Sequence, residues 1–419
     1  MSKLEKLILQ YCPDGVEWKP LGELGDFYSG LSGKTKSDFT GGNEKFITYV
    51  NVFNNPSLKT DVPEKVKIAE GERQNTIQYG DILFTGSSET PDECGMSSVL
   101  THKTEEKLYL NSFCFGFRFY DLSDKCPSFM KYLFRSTNIR KAICKTANGV
   151  TRYNISKKEF AKIEIPIIPL PVQEEIVRVL DAFTELQAEL QAELQKRKQQ
   201  YIFYRDNLLN FNNINRGGQE IKWMKLGEIC EFRNGFAFKS NLFKNEGCPI
   251  IRITNISGQG VIMEDVKYFH MEDYPKTKMT LFEVNNGDIL VAMSGATTGK
   301  IGTYKEDVTA YLNQRTGKFV PKPQLNNRFL YHFLLTKVNE MYRMSGGGAQ
   351  PNLSSTDLKS KILIPLPSLA EQQKIVSILD RFDTLTNDLT SGLPAEMEKR
   401  RQQYEFYRDK LLTFKRKEA

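Results

Sequence analysis

Hydrophobic positions recur at intervals of three and four over two very long stretches of the chain. In the first, Ile176, Leu180, Phe183, Leu186, Leu190, Leu194, Arg197, Tyr201, Tyr204, Leu208 and Phe211 form one stripe. That spacing puts the side chains on a single face of a helix. Pro171 suits a first helical turn, Glu174 and Glu175 stand near the positive end of the dipole, and no Gly or Pro follows until Gly217. The pattern predicts a helix from about residue 171 to 211, ~60 Å long at 1.5 Å per residue. A second stripe runs through Ile375, Leu379, Phe382, Leu385, Leu389, Leu393, Met397, Arg400, Tyr404, Tyr407, Leu411 and Phe414, opened by the capping pair Ser368 and Glu371. It is longer than its twin by a stutter-sized insertion, where Ser391-Gly392-Leu393-Pro394 stands. A kink is predicted there, with Pro394 restarting the helix.

Outside these stretches, short β-branched and aromatic runs alternate with Gly/Asn/Asp turns and lead into helical segments at Pro127–Thr146 and Asn327–Met344. This predicts an α+β domain with a twisted sheet, and it predicts it twice. Arg197–Phe211 and Arg400–Phe414 are identical at eleven of fifteen positions. Trp18, Leu21, Gly22, Glu23, Phe27 and Gly30 match Trp223, Leu226, Gly227, Glu228, Phe232 and Gly235. The strand-like run Phe46–Val52 matches Ile250–Ile256, Gly80-Asp81-Ile82-Leu83 matches Gly287-Asp288-Ile289-Leu290, Tyr109-Leu110-Asn111 matches Tyr311-Leu312-Asn313, and Ile165-Pro166 matches Ile364-Pro365. A repeat of this length is a duplicated domain, not a solenoid.

The expected division is a first domain over 1–170, a helix over 171–212, a second domain over 213–367, and a helix over 368–419 kinked near 391–394. Apolar seams with a period near 3.5 favour pairing of the helices as an antiparallel coiled coil, with the two domains inverted at its ends. Each helix folding back on its own domain is the alternative. Leu4, Leu7 and Ile8 lead to Trp18 much as Leu208, Leu209 and Phe211 lead to Trp223. This suggests that the N-terminal residues replace a helix end before the first domain.

Composition narrows the chemistry. Forty per cent hydrophobic and 26% charged residues indicate a soluble globular chain. No apolar run has membrane-spanning length and the N-terminus lacks a signal-peptide build, so a cytoplasmic location is expected. Seven cysteines without a C-x-x-C pair suit reduced structural thiols, and three scattered histidines lack metal-ligand spacing. Gly33-Lys34-Thr35 and Gly299-Lys300 miss the phosphate-loop pattern, since Tyr28 and Ser294 stand where it needs glycine. No dinucleotide fingerprint, Pro-Pro pair or nuclease-like acidic pair occurs. These absences place any catalysis in a partner and leave recognition as the task of this chain.

The net charge is +7, and Lys131 to Lys158 holds eight basic residues (Lys131, Arg135, Arg140, Lys141, Lys145, Arg152, Lys157 and Lys158) with no Asp or Glu. Such a stripe suits a polyanion. The loops Thr85–Thr90 and Met293–Lys300 follow the same Gly-Asp-Ile-Leu strand and carry small hydroxyl residues that could approach phosphates or base edges, although a plain turn explains them equally. Asn148–Asn154 matches Gly347–Asn352, so Arg152 answers to Gln350. Arg favours guanine and Gln favours adenine, while a glycine-rich hinge explains the same residues. The candidate DNA-binding residues are Lys34, Lys36, Asn51, Ser87, Ser88, Thr90, Arg140, Lys141, Lys145 and Arg152 in the first domain. In the second they are Arg233, Lys239, Arg252, Asn255, Ser294, Thr297, Thr298, Lys300, Gln350 and Asn352. Helix and partner contacts are expected from Leu180, Phe183, Leu190, Leu194, Tyr201, Tyr204, Leu208, Leu379, Phe382, Leu389, Tyr404, Tyr407 and Leu411.

The paired K-x-L-G-E openings (Lys19–Glu23, and Lys225–Glu228 one residue tighter), the G-D-I-L strands, the run Ile364–Asp380 and the tyrosine-rich helix ends together resemble the specificity subunits of Type I restriction-modification systems. Gln173-Glu174-Glu175 stands in place of Glu371-Gln372-Gln373 as one departure. The resemblance covers nearly the whole chain. It implies two target recognition domains on an antiparallel helical spacer, reading a split, asymmetric duplex DNA site whose gap the helices set. It also implies two methyltransferase subunits that methylate adenine with S-adenosylmethionine, and restriction subunits using ATP and Mg, with no cofactor or metal bound by this chain. A self-contained methyltransferase or nuclease, and a structural adaptor that binds no DNA, are the competing readings.

Overall fold

The computed structural model describes residues 1–211, 221–258, 260–346, 351–388 and 391–418. Its contacts divide it into two units, Met1–Glu189 with Glu398–Ala419, and Leu190–Met397. Each unit therefore holds one globular part together with the first half of the helix that follows it and the second half of the other helix.

In unit 1 the central sheet has the order Gly25–Ser29, Cys114–Phe119, Ile82–Thr85, Ser97–Val99, every pair antiparallel. A second sheet joins Lys65–Val66, Glu44–Ile47 and Leu108–Leu110, the last two in parallel. Glu17–Pro20 pairs with Glu164–Ile167, so the strand entering the domain is closed against the strand leaving it. The core between sheet and helices is aromatic: Phe84 lies 4.8 Å from Phe160 and 5.4 Å from Phe134, centroid to centroid, both edge-on. Edge-on packing of this kind stabilises beyond the area it buries.

Unit 2 repeats the plan. Its central sheet runs Cys230–Asn234, Thr316–Pro321, Ile289–Ala292, Ile301–Thr303, and its second sheet again contains a parallel pair, Cys248–Ile251 with Ala310–Leu312. Lys222–Lys225 closes against Leu363–Leu366. The matched glycines mark close approaches. A Cβ on Gly30 would stand 2.1 Å from the Asn111 carbonyl oxygen, and one on Gly235 would stand 1.9 Å from that of Asn313. Only glycine lets those backbones meet.

Several local expectations change. The expected helical segments each divide in two, as Pro127–Leu133 with Thr137–Cys144 and Asn327–Thr336 with Val338–Met344. The strand-like run Phe46–Val52 is strand only to Ile47; the Thr48 hydroxyl then accepts from Asn51 N and starts a helix over Tyr49–Asn54. A serine or threonine capping the first turn outweighs β propensity in so short a run.

The first long helix spans Leu170–Leu208 without a break. The second is two helices, Leu369–Asn387 and Leu393–Leu411. Gly392 N donates to Asp388 O, and a Cβ there would lie within 3 Å of the carbonyls of Thr384, Leu385 and Asp388. In unit 1, Ile176 and Leu180 are fully buried in the domain core, and Phe183 stacks on Tyr407 at 5.5 Å and meets Tyr404 at 6.5 Å. In unit 2, Leu379 is fully buried, and Phe382 stacks on Tyr204 at 5.3 Å, the same contact between equivalent residues. Leu194 and Tyr201 are buried, while Leu190, Leu208 and Leu411 are half-buried; Leu389 lies outside the described residues. At the helix ends the deeply buried positions are Leu209 and Leu412, each one residue beyond the expected Leu208 and Leu411.

Two further expectations are corrected. The helix end itself, through Leu412, sits in the core of unit 1 beside Leu4 of the N-terminal helix Lys3–Tyr11, so that helix adds to the end and does not replace it. Gln173 is also no departure. Its amide donates to Asp124 O and Ile168 O and accepts from Cys126 N; Gln372 donates to Gln324 O and Pro367 O and accepts from Asn326 N. The equivalence is Gln173 with Gln372, one step from the sequence alignment, and both residues staple a helix start to the preceding domain.

Candidate nucleic-acid interface

The Gly-Asp-Ile-Leu strands are anchored before the variable loops begin. Gly80 and Gly287 have φ of +87° and +90°, a left-handed turn that suits glycine. In unit 1 the Asp81 carboxylate accepts from Gln78 N and the Tyr28 hydroxyl, each at 2.7 Å, and from Arg118 at 2.8 and 2.7 Å. In unit 2 Asp288 accepts from Asn285 N and Lys318 Nζ, both at 2.8 Å. Either way a carboxylate, buried at Asp81 and half-buried at Asp288, fastens the turn to the neighbouring strand with a cation and a backbone amide.

Beyond that anchor, three loops distant in sequence come together. In unit 1 Asn154 pairs with Ser87 and Tyr153 with Ser88, joining the loop after the Gly-Asp-Ile-Leu strand to the glycine-containing loop. In unit 2 Ser294 and Asn352 form the equivalent bridge. The third loop follows the Tyr-Leu-Asn match. Asn111 Oδ1 accepts from Phe113 N while Phe113 O accepts from Gly86 N, and in unit 2 Asn313 and Arg315 make the same pair of bonds with Met293 N. The frame is common to both units, but the side chain presented is Phe113, 57% exposed, in one and exposed Arg315 in the other.

In unit 1 the three loops and the helix Tyr49–Asn54 enclose a cleft of about 850 Å³. Arg152 donates to Ser87 Oγ from Nη2 at 2.9 Å and Nε at 3.2 Å, and its guanidinium lies 5.6 Å above the Phe113 ring. The Tyr49 hydroxyl donates to Ser87 O at 2.8 Å, and Tyr49 stacks on Phe53 at 6.0 Å. Tyr49, Phe53, Phe113 and Arg315 were missed by sequence reasoning. For Phe113 and Arg315 the available signal was divergence immediately after the matched Tyr-Leu-Asn.

The other candidates divide by what already holds them. Lys36, Thr90, Lys141, Lys145, Arg152, Arg233, Lys239 and Asn352 are exposed, and Ser88, Thr297 and Lys300 are half-buried near the same loops. Thr297 Oγ1 donates to Ile253 O, and Ser88 Oγ donates to Glu93. Ser87 is buried under Arg152, and the buried Ser294 Oγ makes no bond. Gln350 lies outside the described residues.

Six of the expected residues make bonds within the fold. Lys34 Nζ is taken up by Glu72 and Lys67 O. Asn51 is buried and donates to Lys59 O; Asn255 is buried and donates to Ile262 O and Glu264 O. Thr298 is buried and donates to Gly295 O and Pro351 O. Arg140 donates to the carbonyls of Gly95, Asp92 and Cys94, and Arg252 donates to Asp265 O. The basic stripe is thinned for the same reason. Arg135 donates to Ser97 O, Val52 O and Phe53 O, with burial holding its pKa down to about 10, and Lys131 pairs with Asp181 at 2.8 Å. Buried carbonyls left over at sheet edges and loop ends need donors, and these side chains supply them. The exposed remainder is Lys141, Lys145, Arg152, Lys157 and Lys158.

All seven cysteines are free thiols, and burial pushes Cys114 and Cys230 up to about 12, which makes them poor nucleophiles. Among the described residues no helix is long and apolar enough to cross a membrane, and no cluster of three His, Cys, Asp or Glu could hold a metal.

Comparison with known proteins agrees with this geometry. The family model for the Type I restriction modification DNA specificity domain matches twice, over residues 13–197 and 219–399. The EcoR124I/EcoR124II specificity subunit of Escherichia coli is 35% identical over 64% of this chain and 66% of its own length. An inferred type I restriction enzyme specificity subunit of Haemophilus influenzae is 30% identical over 95% of this chain and 96% of its own. Among solved structures, a chain from a study of assembly and conformational transition of the type I system superposes with a TM-score of 0.60, covering 96% of this chain and 98% of that one at 18% identity. The Type I S subunit of M. genitalium gives 0.51, covering 95% and 96%, also at 18% identity. With both domains matched and both loop frames alike, this chain belongs to the specificity-subunit family of Type I restriction-modification systems.

Proposed function

We propose that the chain selects the DNA sequence on which a Type I restriction-modification complex acts, each unit reading one half of a split, asymmetric duplex target. Two methyltransferase subunits would supply S-adenosylmethionine-dependent adenine methylation, with the target adenine flipped into their pocket. Restriction subunits would supply ATP- and Mg-dependent cleavage, and this chain would perform no chemistry. The two long helices would set the unread gap between the half-sites. One observation carries the reading. In both units an identical bridge, Asn154 with Ser87 and Ser294 with Asn352, holds variable loops together on a matched frame. A constant frame with divergent tips is what two readers of different sequences require.

A methylome of cells carrying this chain with its methyltransferase partner tests the proposal. Two short conserved blocks separated by a fixed unread gap are expected. Purified complex should bind duplex DNA with an affinity that falls steeply as salt rises. Methylation by the chain alone would point to a self-contained enzyme, and salt-independent association with no DNA preference would point to an adaptor.

A further inference from the structure

The cleft of unit 1 presents one cation in a prepared position. Arg152 has its Nε and one Nη2 proton directed at Ser87 Oγ, and its plane is held over Phe113. Ser87 is itself fixed, with its carbonyl bonded to the Tyr49 hydroxyl and its backbone paired to Asn154. Glu89 and Glu93 line the same cleft, yet among the described residues no carboxylate lies within ion-pair distance of Arg152. Its remaining N–H groups therefore face the opening in a set orientation.

Resting on the DNA-reading role proposed above, we infer that Arg152 reads a guanine in the half-site of unit 1, with Ser87 as its positioning residue. The guanidinium fork matches the O6 and N7 acceptors that guanine shows in the major groove. Its neighbours at the rim, Val50 at 62% exposure and Phe113 at 57%, are apolar and suit base edges and thymine methyl groups, not phosphates. Phosphate neutralisation is available from the exposed Lys141, Lys145, Lys157 and Lys158. A side chain already ordered by its own chain loses less freedom on binding, which is what a specificity contact needs.

Selection from randomised duplexes by the full chain in complex with its methyltransferase partner tests this, using wild type, Arg152→Lys and Arg152→Gln. Arg152 is exposed, so neither variant threatens the fold, and Arg152→Lys keeps the charge while removing the fork. The expected result is loss of about a ten-fold guanine preference at a single base pair of one half-site in Arg152→Lys, with all other positions retained. In Arg152→Gln that position should move towards adenine. A uniform loss of affinity across all sequences, with the salt slope falling by about one, would make Arg152 a phosphate contact and overturn the inference. An unchanged profile in both variants overturns it as well. Since the half-site of unit 2 is scored in the same selection, its persistence keeps the DNA-reading role standing even then; wild-type complex that selects no sequence removes both.

Discussion

His332 Nε2 lies 2.8 Å from Asp380 Oδ1, and its Nδ1 lies 3.0 Å from the Tyr201 hydroxyl. A neutral imidazole fits both contacts, with Nε2–H donating to the carboxylate and Nδ1 accepting from the hydroxyl. His332 is fully buried, and burial, with Arg328 beside it, holds its pKa below the ordinary histidine value despite Asp380. The unfolded chain then takes up the proton first as the solution acidifies, so stability present at neutral pH is lost as pH falls through the unfolded histidine pKa of about 6.5. At the equivalent place in unit 1 stands Tyr132, which donates to Asp181 and whose pKa burial raises further above the ordinary tyrosine value. We expect denaturant midpoints of the unit 2 transition to drop across that window, and His332→Gln to flatten the drop; an unaltered slope in the variant would remove His332 as its source. Asp81, fully buried and bonded to Arg118, is expected to cost about 3 kcal/mol as Asp81→Ala. This is at the low end for a broken ion pair because Arg118 is one-third exposed and can recover water. Unfolding of unit 1 measures it. The Gly-Asp pairs were legible as repeats. Arg135 and Arg140 were misread, because a row of positive charges does not disclose which carbonyls the fold will leave in need of donors.

Elements with strong periodicity were readable to within a few residues. The first long helix runs unbroken for 39 residues, and the second breaks where Ser391–Pro394 interrupts the pattern. Short elements were not readable, since a single cap such as Thr48 or a turn at Phe134–Ser136 decides them. Deleting Ser391–Pro394 removes about one helical turn of chain and the only glycine that fits against the carbonyls of Thr384, Leu385 and Asp388. We expect the tolerated gap between half-sites to change, or assembly to weaken, while the half-site sequences stay as they are. Methylomes of the two forms decide it, and an unaltered gap with normal assembly would deny these helices a spacing role.

At the scale of the whole molecule the duplication was plain in the sequence. The meeting of Thr85–Thr90, Phe113 and Asn148–Asn154 was not, because strand pairing across tens of residues leaves no local pattern. If each unit reads alone, exchanging Met1–Pro166 for the matching part of a relative should rewrite one half of the methylated site and preserve the other. Both halves changing together would refute independent reading.

Unit 1 is assembled from two pieces of chain, and its core includes Leu412, while Val16 is bonded on both sides to Lys415 and Lys417. The ribosome delivers those pieces roughly two hundred residues apart. The body whose synthesis starts first is thus finished last, and its nascent form must wait with a bare hydrophobic flank until the downstream segment emerges. A premature stop near residue 397 would spare every residue of unit 2 and yet injure the opposite end of the coding order.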